Sequence, residues 1–416
     1  MKGLLFLLLC SSHVIAADFI RHAIANPEGD AAYSFDASAF KNDCSHLSIG
    51  VFDSGIGGLT VMEALLTLDA FHNGTLKPGA DGKPDFADER FIYFGDQANM
   101  PYGNYSSVER TDYLRELIVK DAVFLLGKRW FDPVSGSFRH DKPPVKAIVI
   151  ACNTATAYGI EDIRSALKAW NLPVIVVGVV EAGARGVQEA HRDGAIGVLA
   201  TVGTCASGAY PRIIGQTLGL AGRGIPVITQ QGSANLAGII EGDPSFKESI
   251  AERCGIDVLA LVQSHLQGGA RSPLSTIVLG CTHFPLAQSE IDAAFLRVRS
   301  RAGFNDLIAP KLTYVNPAEW TARELFRALA SASLRAPRNS KATRDSFFIS
   351  IPNPQRKDLP LTSDGSLEKT FKYSRLHGEF DRQDTVNVPM SPERIPITTR
   401  RLIATKLPQV WQRLNQ

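Results

Sequence analysis

Two short stretches of this sequence echo each other: residues 146–154 read KAIVIACNT, and residues 275–283 read STIVLGCTH. Each starts with an apolar, β-branched run of strand length and continues through a small residue to a cysteine and polar residues. Such a run indicates a strand buried on both faces, as in a parallel sheet. Cys152 and Cys281 would then lie at the carboxyl ends of strands, where α/β proteins place their chemistry. The echo predicts paired halves that present two thiols to one cleft.

Outward from these stretches, strand-like and helix-like segments alternate from about residue 46 to residue 330. This alternation predicts an α/β fold with parallel sheets, in two similar domains that face an interdomain cleft. The predicted segments are a signal peptide at 1–17, an N-terminal extension at 18–46, a first domain at 47–177 completed by about 300–335, a second domain at 178–299, and a basic C-terminal extension at 336–416. We expect this last extension to be solvated and loosely packed rather than a dedicated binding module.

The composition sets broad limits on the class of protein. With 416 residues, 44% hydrophobic and 21% charged, the chain has room for two domains and an appendage. The formal net charge of +2 gives no argument for binding nucleic acid. We therefore expect a small-molecule ligand and no nucleic acid, and we also consider a homodimer.

The N-terminus has the pattern of a secretory signal peptide. Met1 and Lys2 precede a short apolar run, and small residues follow up to Ala17. The apolar run is too short for a membrane span of about 20 residues, and no other run approaches that length. We expect cleavage near Ala16 or Ala17 and a soluble periplasmic or secreted protein. The alternative is a mis-started N-terminus with no role in export.

The cysteines favour chemistry over cross-linking. Five remain after the signal peptide, namely Cys44, Cys152, Cys205, Cys254 and Cys281. An odd, sparse set does not form a disulfide framework. The sequence has no Cys-x-x-Cys and no His/Cys cluster at zinc spacing, so we predict no metal site. Because free thiols are unusual in an oxidising compartment, two at equivalent strand ends point to a reaction.

Two thiols on opposite faces of one carbon can invert it. One thiol takes a proton from one face while the other delivers a proton to the opposite face, which is general acid–base catalysis. Asp53 and Ser54 end the first predicted strand, and the glycines that follow could cradle a carboxylate. An N-cap and turn before the next helix is the plainer interpretation of Asp53 and Ser54. His283 stands two residues after Cys281 and could assist it.

Several further motifs make the chain resemble the glutamate racemases of the cofactor-independent aspartate/glutamate racemase superfamily. They occur in the family's order and cover roughly residues 47–330. The matching runs are IGVFDSGIGGLTV at 49–61, YFGD at 93–96, PYG at 101–103, ACNTA at 151–155, GVVE at 178–181, GT at 203–204, SGAY at 207–210 and LGCTHFPL at 279–286.

The resemblance implies a role for each matching residue and requires no cofactor. Cys152 would be the base for the D-enantiomer and Cys281 the base for the L-enantiomer, with help from Asp53 and His283 respectively. Glu241 is the best match for a further acidic residue of the family. The substrate's ammonium and carboxylates would be bound by Asp53, Ser54, Pro101, Tyr102, Gly103, Asn153, Thr154, Thr282 and His283. Members of the family normally supply D-glutamate for the cell wall.

The chain departs from the family pattern at several points. The family usually has Ala-Arg before its Pro-Tyr-Gly turn, and this chain has Ala98 and Asn99; Ala182 stands where a proline usually follows Glu181. Inserted loops at 72–89 and 128–144 and the C-terminal extension are also unusual. Three alternatives stay open: a racemase for aspartate or another amino acid, an exported non-catalytic binder of amino acids or wall peptides, and a hydrolase that uses Cys281 with His283.

Overall fold

A computed structural model describes residues 18–26, 32–33, 35–243, 246–269, 271–337 and 344–416. The predicted signal peptide at 1–17 lies outside these residues. Within them, no helix is both long enough and apolar enough to cross a membrane.

The described residues form two separate, mainly parallel β-sheets and one β-hairpin, which confirms the predicted α/β class. The strands are β1 (Ser48–Asp53), β2 (Phe91–Gly95), β3 (Trp130–Asp132), β4 (Ser137–Arg139), β5 (Val145–Ile150), β6 (Ile175–Gly178), β7 (Ala195–Thr201), β8 (Ile228–Ser233), β9 (Leu274–Gly280), β10 (Ile308–Val315), β11 (Ser346–Pro352) and β12 (Thr385–Pro389). The larger sheet has the order β12-β11-β2-β1-β5-β6, and the smaller sheet has the order β10-β9-β7-β8.

Helices cover both faces of each sheet, as a doubly wound arrangement requires. They are α1 (18–25), α2 (Leu59–Thr67), α3 (Thr111–Leu126), α4 (Asn153–Ala169), α5 (Val179–Ala190), α6 (Val202–Ala206), α7 (Ala209–Leu220), α8 (Leu236–Glu241), α9 (Ile250–Gln267), α10 (Gln288–Arg299), α11 (Pro317–Ser331), α12 (Lys369–Ser374), α13 (Ile397–Lys406) and α14 (Pro408–Leu414). The domain boundaries proposed from the sequence stay a prediction.

The strands that carry the echoing sequences are buried along their whole length or nearly so. Every residue of β5 is buried, and β9 has a single half-buried position. Their side chains alternate between two apolar cores on opposite faces of each sheet. This explains why the runs are continuously apolar instead of alternating with polar residues. The two sheets thereby hold the cysteines that follow β5 and β9 on rigid supports.

The C-terminal extension is not loosely packed, which corrects the expectation from its charge and prolines. β11 pairs in parallel with β2 and extends the larger sheet, and β12 pairs antiparallel with β11. Phe347 and Phe348 of β11 are buried on opposite faces of that sheet. Because β11 covers the edge of β2, that edge is no longer open to other chains. The extension is therefore part of the folded core.

After the Pro-Tyr-Gly turn, residues 106–108 form a 3-10 helix, Glu109 is left-handed with a φ of 56°, and α3 begins at Thr111. One local prediction is also wrong. The insertion at 128–144 is not a simple loop, because β3 and β4 form a hairpin within it.

Candidate active site

Cys152 and Cys281 follow strands of different sheets and line the same cavity. Cys152 comes after β5 and caps the N-terminus of α4, whereas Cys281 comes directly after β9. The carboxyl ends of the two sheets therefore meet at this cavity. The residues that line it are Asp53, Ser54, Met100, Pro101, Tyr102, Gly103, Cys152, Asn153, Thr154, Thr201, Ala237, Cys281, Thr282 and His283.

The environment of Cys152 favours its protonated form. Its Sγ accepts a hydrogen bond from the Ala155 backbone N–H at 3.4 Å and donates to Ser54 Oγ at 3.8 Å. Burial, with a further contribution from the negative charge of Asp53, raises the pKa of Cys152 well above its ordinary value. A thiol in this state is a proton donor near neutral pH.

Asp53 is a buried carboxyl group at the end of β1. Its Oδ1 accepts hydrogen bonds from Ser54 Oγ at 3.1 Å and from the Gly55 backbone N–H at 3.3 Å. Burial raises the pKa of Asp53, and the nearby positive charge of His283 opposes this shift. Within the described residues, Asp53 Oδ2 is buried without a hydrogen-bond partner. The N-cap of α2 is Gly58, without a side-chain bond, so neither Asp53 nor Ser54 caps that helix.

On the opposite side, three groups form a hydrogen-bonded chain. Cys281 Sγ lies 3.7 Å from His283 Nδ1, and His283 Nε2 lies 2.6 Å from Glu241 Oε1. Burial lowers the pKa of His283, but the hydrogen bonds to Cys281 and Glu241 outweigh it and raise the pKa well above its ordinary value. The imidazole is then charged at neutral pH. The structure thus brings Glu241 to His283, although Glu241 does not itself line the cavity.

The glycine-rich run after β1 has a packing role that its sequence did not reveal. A Cβ placed on Gly57 would lie 2.2 Å from His283 Cε1. No side chain fits there, so the loop of the first sheet can press directly against the histidine of the second. Thr60 Oγ1 also donates to the Thr282 backbone carbonyl at 3.0 Å, which joins the two halves at this point.

Two further predicted binding residues, Asn153 and Thr154, lie at the start of α4. Asn153 Oδ1 accepts a hydrogen bond from Tyr210 OH at 2.6 Å. Thr154 Oγ1 is 3.1 Å from the hydroxyls of both Thr201 and Thr204, which forms a cluster of three hydroxyl groups. Their position at the N-terminus of a 17-residue helix favours a negatively charged ligand group.

Tyr102 of the Pro-Tyr-Gly turn directs its hydroxyl into a buried pair of carboxyl groups. Its oxygen lies 2.5 Å from Asp96 Oδ2 and 2.7 Å from Asp121 Oδ2. A phenol has a single O–H, so it can donate to only one of them, and the other must donate its own proton. Burial, followed by the charge of Asp96, raises the pKa of Asp121 well above its ordinary value. Burial raises the pKa of Asp96 as well, but Asp96 also accepts hydrogen bonds from Asn99 and Ser350. Asp121 is therefore the protonated partner.

Asp121→Asn is expected to flatten the dependence of stability on pH. The folded state keeps the Asp121 proton at pH values where the unfolded carboxyl, with a pKa of about 3.9, has lost it. Stability therefore falls as pH rises above that value through the raised pKa. The amide can donate to Tyr102 as the protonated acid does, but it does not titrate. Urea unfolding from pH 5 to 8 measures the slope, with Asp112→Asn on the exposed side of α3 as the control. Equal slopes in wild type and Asp121→Asn would contradict this assignment.

Three cavity residues were not anticipated from the sequence: Met100, Thr201 and Ala237. Thr201 is the last residue of β7, so its position at the carboxyl end of a parallel strand was an available signal. Met100 and Ala237 have no such signal, because they belong to a turn and to the short helix α8.

Comparison with known proteins gives a consistent result. Residues 133–300 match the family model described as "Asp/Glu/Hydantoin racemase". A glutamate racemase from Limosilactobacillus fermentum is 30% identical over 273 residues, which cover 66% of this chain and 77% of that protein. One from Thermus thermophilus is 32% identical over 290 residues, covering 70% and 82% respectively. The crystal structure of a Bacillus anthracis glutamate racemase aligns with a TM-score of 0.53 and 26% identity over 73% of this chain and 89% of that chain.

Proposed function

This chain belongs to the aspartate/glutamate racemase family and is an amino-acid racemase, and on that premise we propose that it interconverts L- and D-glutamate with two thiols as acid and base. The observation that carries the proposal is the convergence of Cys152 and Cys281, from different sheets, on one cavity. Each thiol has its own ionisable neighbour, Asp53 or His283.

For L-glutamate, the proposed reaction starts with Cys281 as thiolate and Cys152 as thiol. Cys281 takes the α-proton, and the electron pair of the broken C–H bond stays on the α-carbon. Cys152 then donates its proton to the opposite face, which gives D-glutamate. The reverse reaction starts with the opposite protonation states. The raised pKa of Cys152 fits the form that accepts L-glutamate.

The polar groups around the cavity suit an amino acid with two carboxylates. The unpartnered Oδ2 of Asp53 offers an acceptor for the substrate ammonium. Asn153 and Thr154, at the start of α4, offer donors for a carboxylate. Fixed donors of this kind stabilise the negative charge that develops when the α-proton leaves. With Ser54, Thr282 and the turn 101–103, they form the proposed substrate site.

Glutamate is favoured because the relatives that match most of this chain are glutamate racemases. Aspartate is shorter by one methylene, and a pocket discriminates one methylene by only about 1–3 kcal/mol. Aspartate is therefore the second substrate to examine.

Purified protein in D2O, without added cofactor, is expected to exchange the α-proton of both glutamate enantiomers and to invert them. Mass spectrometry and chiral chromatography measure the two events, with aspartate tested in parallel. The Cys152→Ala/Cys281→Ala double variant is the blank. Exchange with aspartate alone would reassign the substrate. No exchange with either amino acid would reject racemisation and leave a binding protein built on this fold.

Export is a separate part of the proposal, based on the pattern of residues 1–17. The mature protein is expected to begin near Asp18, and N-terminal sequencing measures this. A mature N-terminus at Met1 would reject export.

In an oxidising compartment the two facing thiols could form a disulfide, so added reductant is expected to raise activity. A homodimer also remains a proposal, which light scattering of the purified protein tests.

A further inference from the structure

The C-terminal extension holds the backbone of the substrate-binding turn. Lys372 Nζ donates a hydrogen bond to the Met100 carbonyl at 2.7 Å, and Tyr373 OH donates to the Pro101 carbonyl at 3.2 Å. Both donors lie on α12, far beyond the part of the sequence that carries the family motifs. Two consecutive carbonyls at the start of the turn are therefore fixed by residues of the extension.

Arg375, directly after α12, reaches the residue that precedes Met100. Its side chain is only 4% exposed, and its Nη2 donates a hydrogen bond to Asn99 Oδ1. The guanidinium also lies 4.9 Å from the centre of the Tyr113 ring, and its Nη1 is 3.7 Å from Asp384 Oδ2. A buried cation is costly unless it is paired, and these contacts provide the pairing. These contacts hold the guanidinium beside Asn99.

Asn99 connects Arg375 to the substrate-binding Tyr102 through the carboxylate of Asp96. Its Nδ2 donates to both oxygens of Asp96, at 2.8 and 2.9 Å, and Asp96 accepts from Tyr102 OH. Ser350 of β11 also donates to Asp96 Oδ1 at 2.6 Å and accepts from the Ala98 backbone N–H at 2.9 Å. An unbroken series of hydrogen bonds thus links the extension to Tyr102.

We propose that Arg375 is a positioning residue for the substrate-binding turn, acting through Asn99 and Asp96 on Tyr102. The inference rests on the proposed role of that turn in binding glutamate. Asn99 stands where the family pattern has arginine, and here the guanidinium of Arg375 donates a hydrogen bond to that residue. The short amide accepts the bond that fixes Arg375 and donates the bonds that fix Asp96. The extension is accordingly part of the binding machinery and not an appendage.

Arg375→Met is expected to raise KM for both enantiomers of glutamate about tenfold and to change kcat less than threefold, since Arg375 touches no reacting atom. Arg375→Lys keeps the positive charge but loses the planar guanidinium group. Its KM is therefore expected to lie between those of wild type and Arg375→Met. The matched control is Arg382→Met: Arg382 also binds Asp384, with its Nε 3.0 Å from Oδ1. A wild-type KM in Arg375→Met, or an equal rise in Arg382→Met, would overturn the proposal.

Hydrogen–deuterium exchange separates this inference from the proposed reaction. Peptides that cover residues 96–105 are expected to exchange faster in Arg375→Met than in wild type, and to be unchanged in Arg382→Met. This readout applies even if the wild-type protein does not racemise glutamate. Should Arg375→Met fail to fold, Arg375→Lys, which keeps the charge but loses the planar guanidinium that bonds Asn99, replaces it in both experiments. Unchanged exchange at 96–105 would reject the positioning role.

Discussion

Replacing either Cys152 or Cys281 with alanine is expected to reduce racemisation by about 10³-fold or more, within or above the range of a general acid or base. In the proposed mechanism each thiol is the acid in one direction and the base in the other, so neither direction is expected to survive. The enantiomers have equal free energies in water, so kcat/KM must fall by the same factor for both. Circular dichroism of each reaction measures the loss.

Cys254→Ala is the matched control for these variants. Cys254 is buried in α9, in the same half of the molecule as Cys281, and it does not line the cavity. This variant is expected to keep activity near that of wild type. If Cys152→Ala or Cys281→Ala also stayed near wild type, the two-thiol mechanism would be wrong, whatever the substrate.

Glu241→Gln is expected to lower kcat/KM by about 10–100-fold at neutral pH and to move the loss of activity on the alkaline side to lower pH. Hydrogen bonds to charged groups contribute about 1.5–3 kcal/mol, which is about 10–100-fold in rate. The hydrogen bond and the negative charge of Glu241 help to raise the pKa of His283, whereas burial lowers it. When Glu241 is replaced by glutamine, the pKa of His283 is therefore expected to fall. The imidazole then becomes neutral at a lower pH. A pH profile for each enantiomer measures this shift.

Glu252→Gln is the control for this change. Glu252 forms an exposed capping box with Ser249 at the start of α9, in the same half of the molecule. The Glu252→Gln substitution is expected to change the stability slightly and to leave the pH dependence of the activity unchanged. A profile that does not move in Glu241→Gln would show that Glu241 does not act through His283.

The parts of the site that follow strands were predictable from the sequence. The runs before Cys152 and Cys281 are continuously apolar because parallel strands are buried on both faces. The same logic placed Asp53 at the end of β1. Glu241 was identified only by resemblance, because the short helix α8 has no pattern that aims a side chain at His283.

The C-terminal extension shows where sequence reasoning fails. Its lysines and arginines suggested a solvated segment, but Arg375 is buried against Asp384 of the same extension and against Asn99, which is 276 positions away in the sequence. Such long-range pairing leaves no local periodicity. β12 is hard to recognise because it has only five residues and two apolar positions, Val386 and Val388; it forms a strand by pairing with β11.

The origin of the proton in the product tests the two-base mechanism most directly. Unlabelled L-glutamate is incubated with the enzyme in D2O. The first D-glutamate formed is isolated, and its molecular mass is measured by mass spectrometry. If the second thiol supplies the new proton from solvent, as we propose, every D-glutamate molecule is expected to carry one deuterium at the α-carbon. D-glutamate that retains the substrate's own hydrogen would show that one base serves both faces, and would contradict the roles proposed for Cys152 and Cys281.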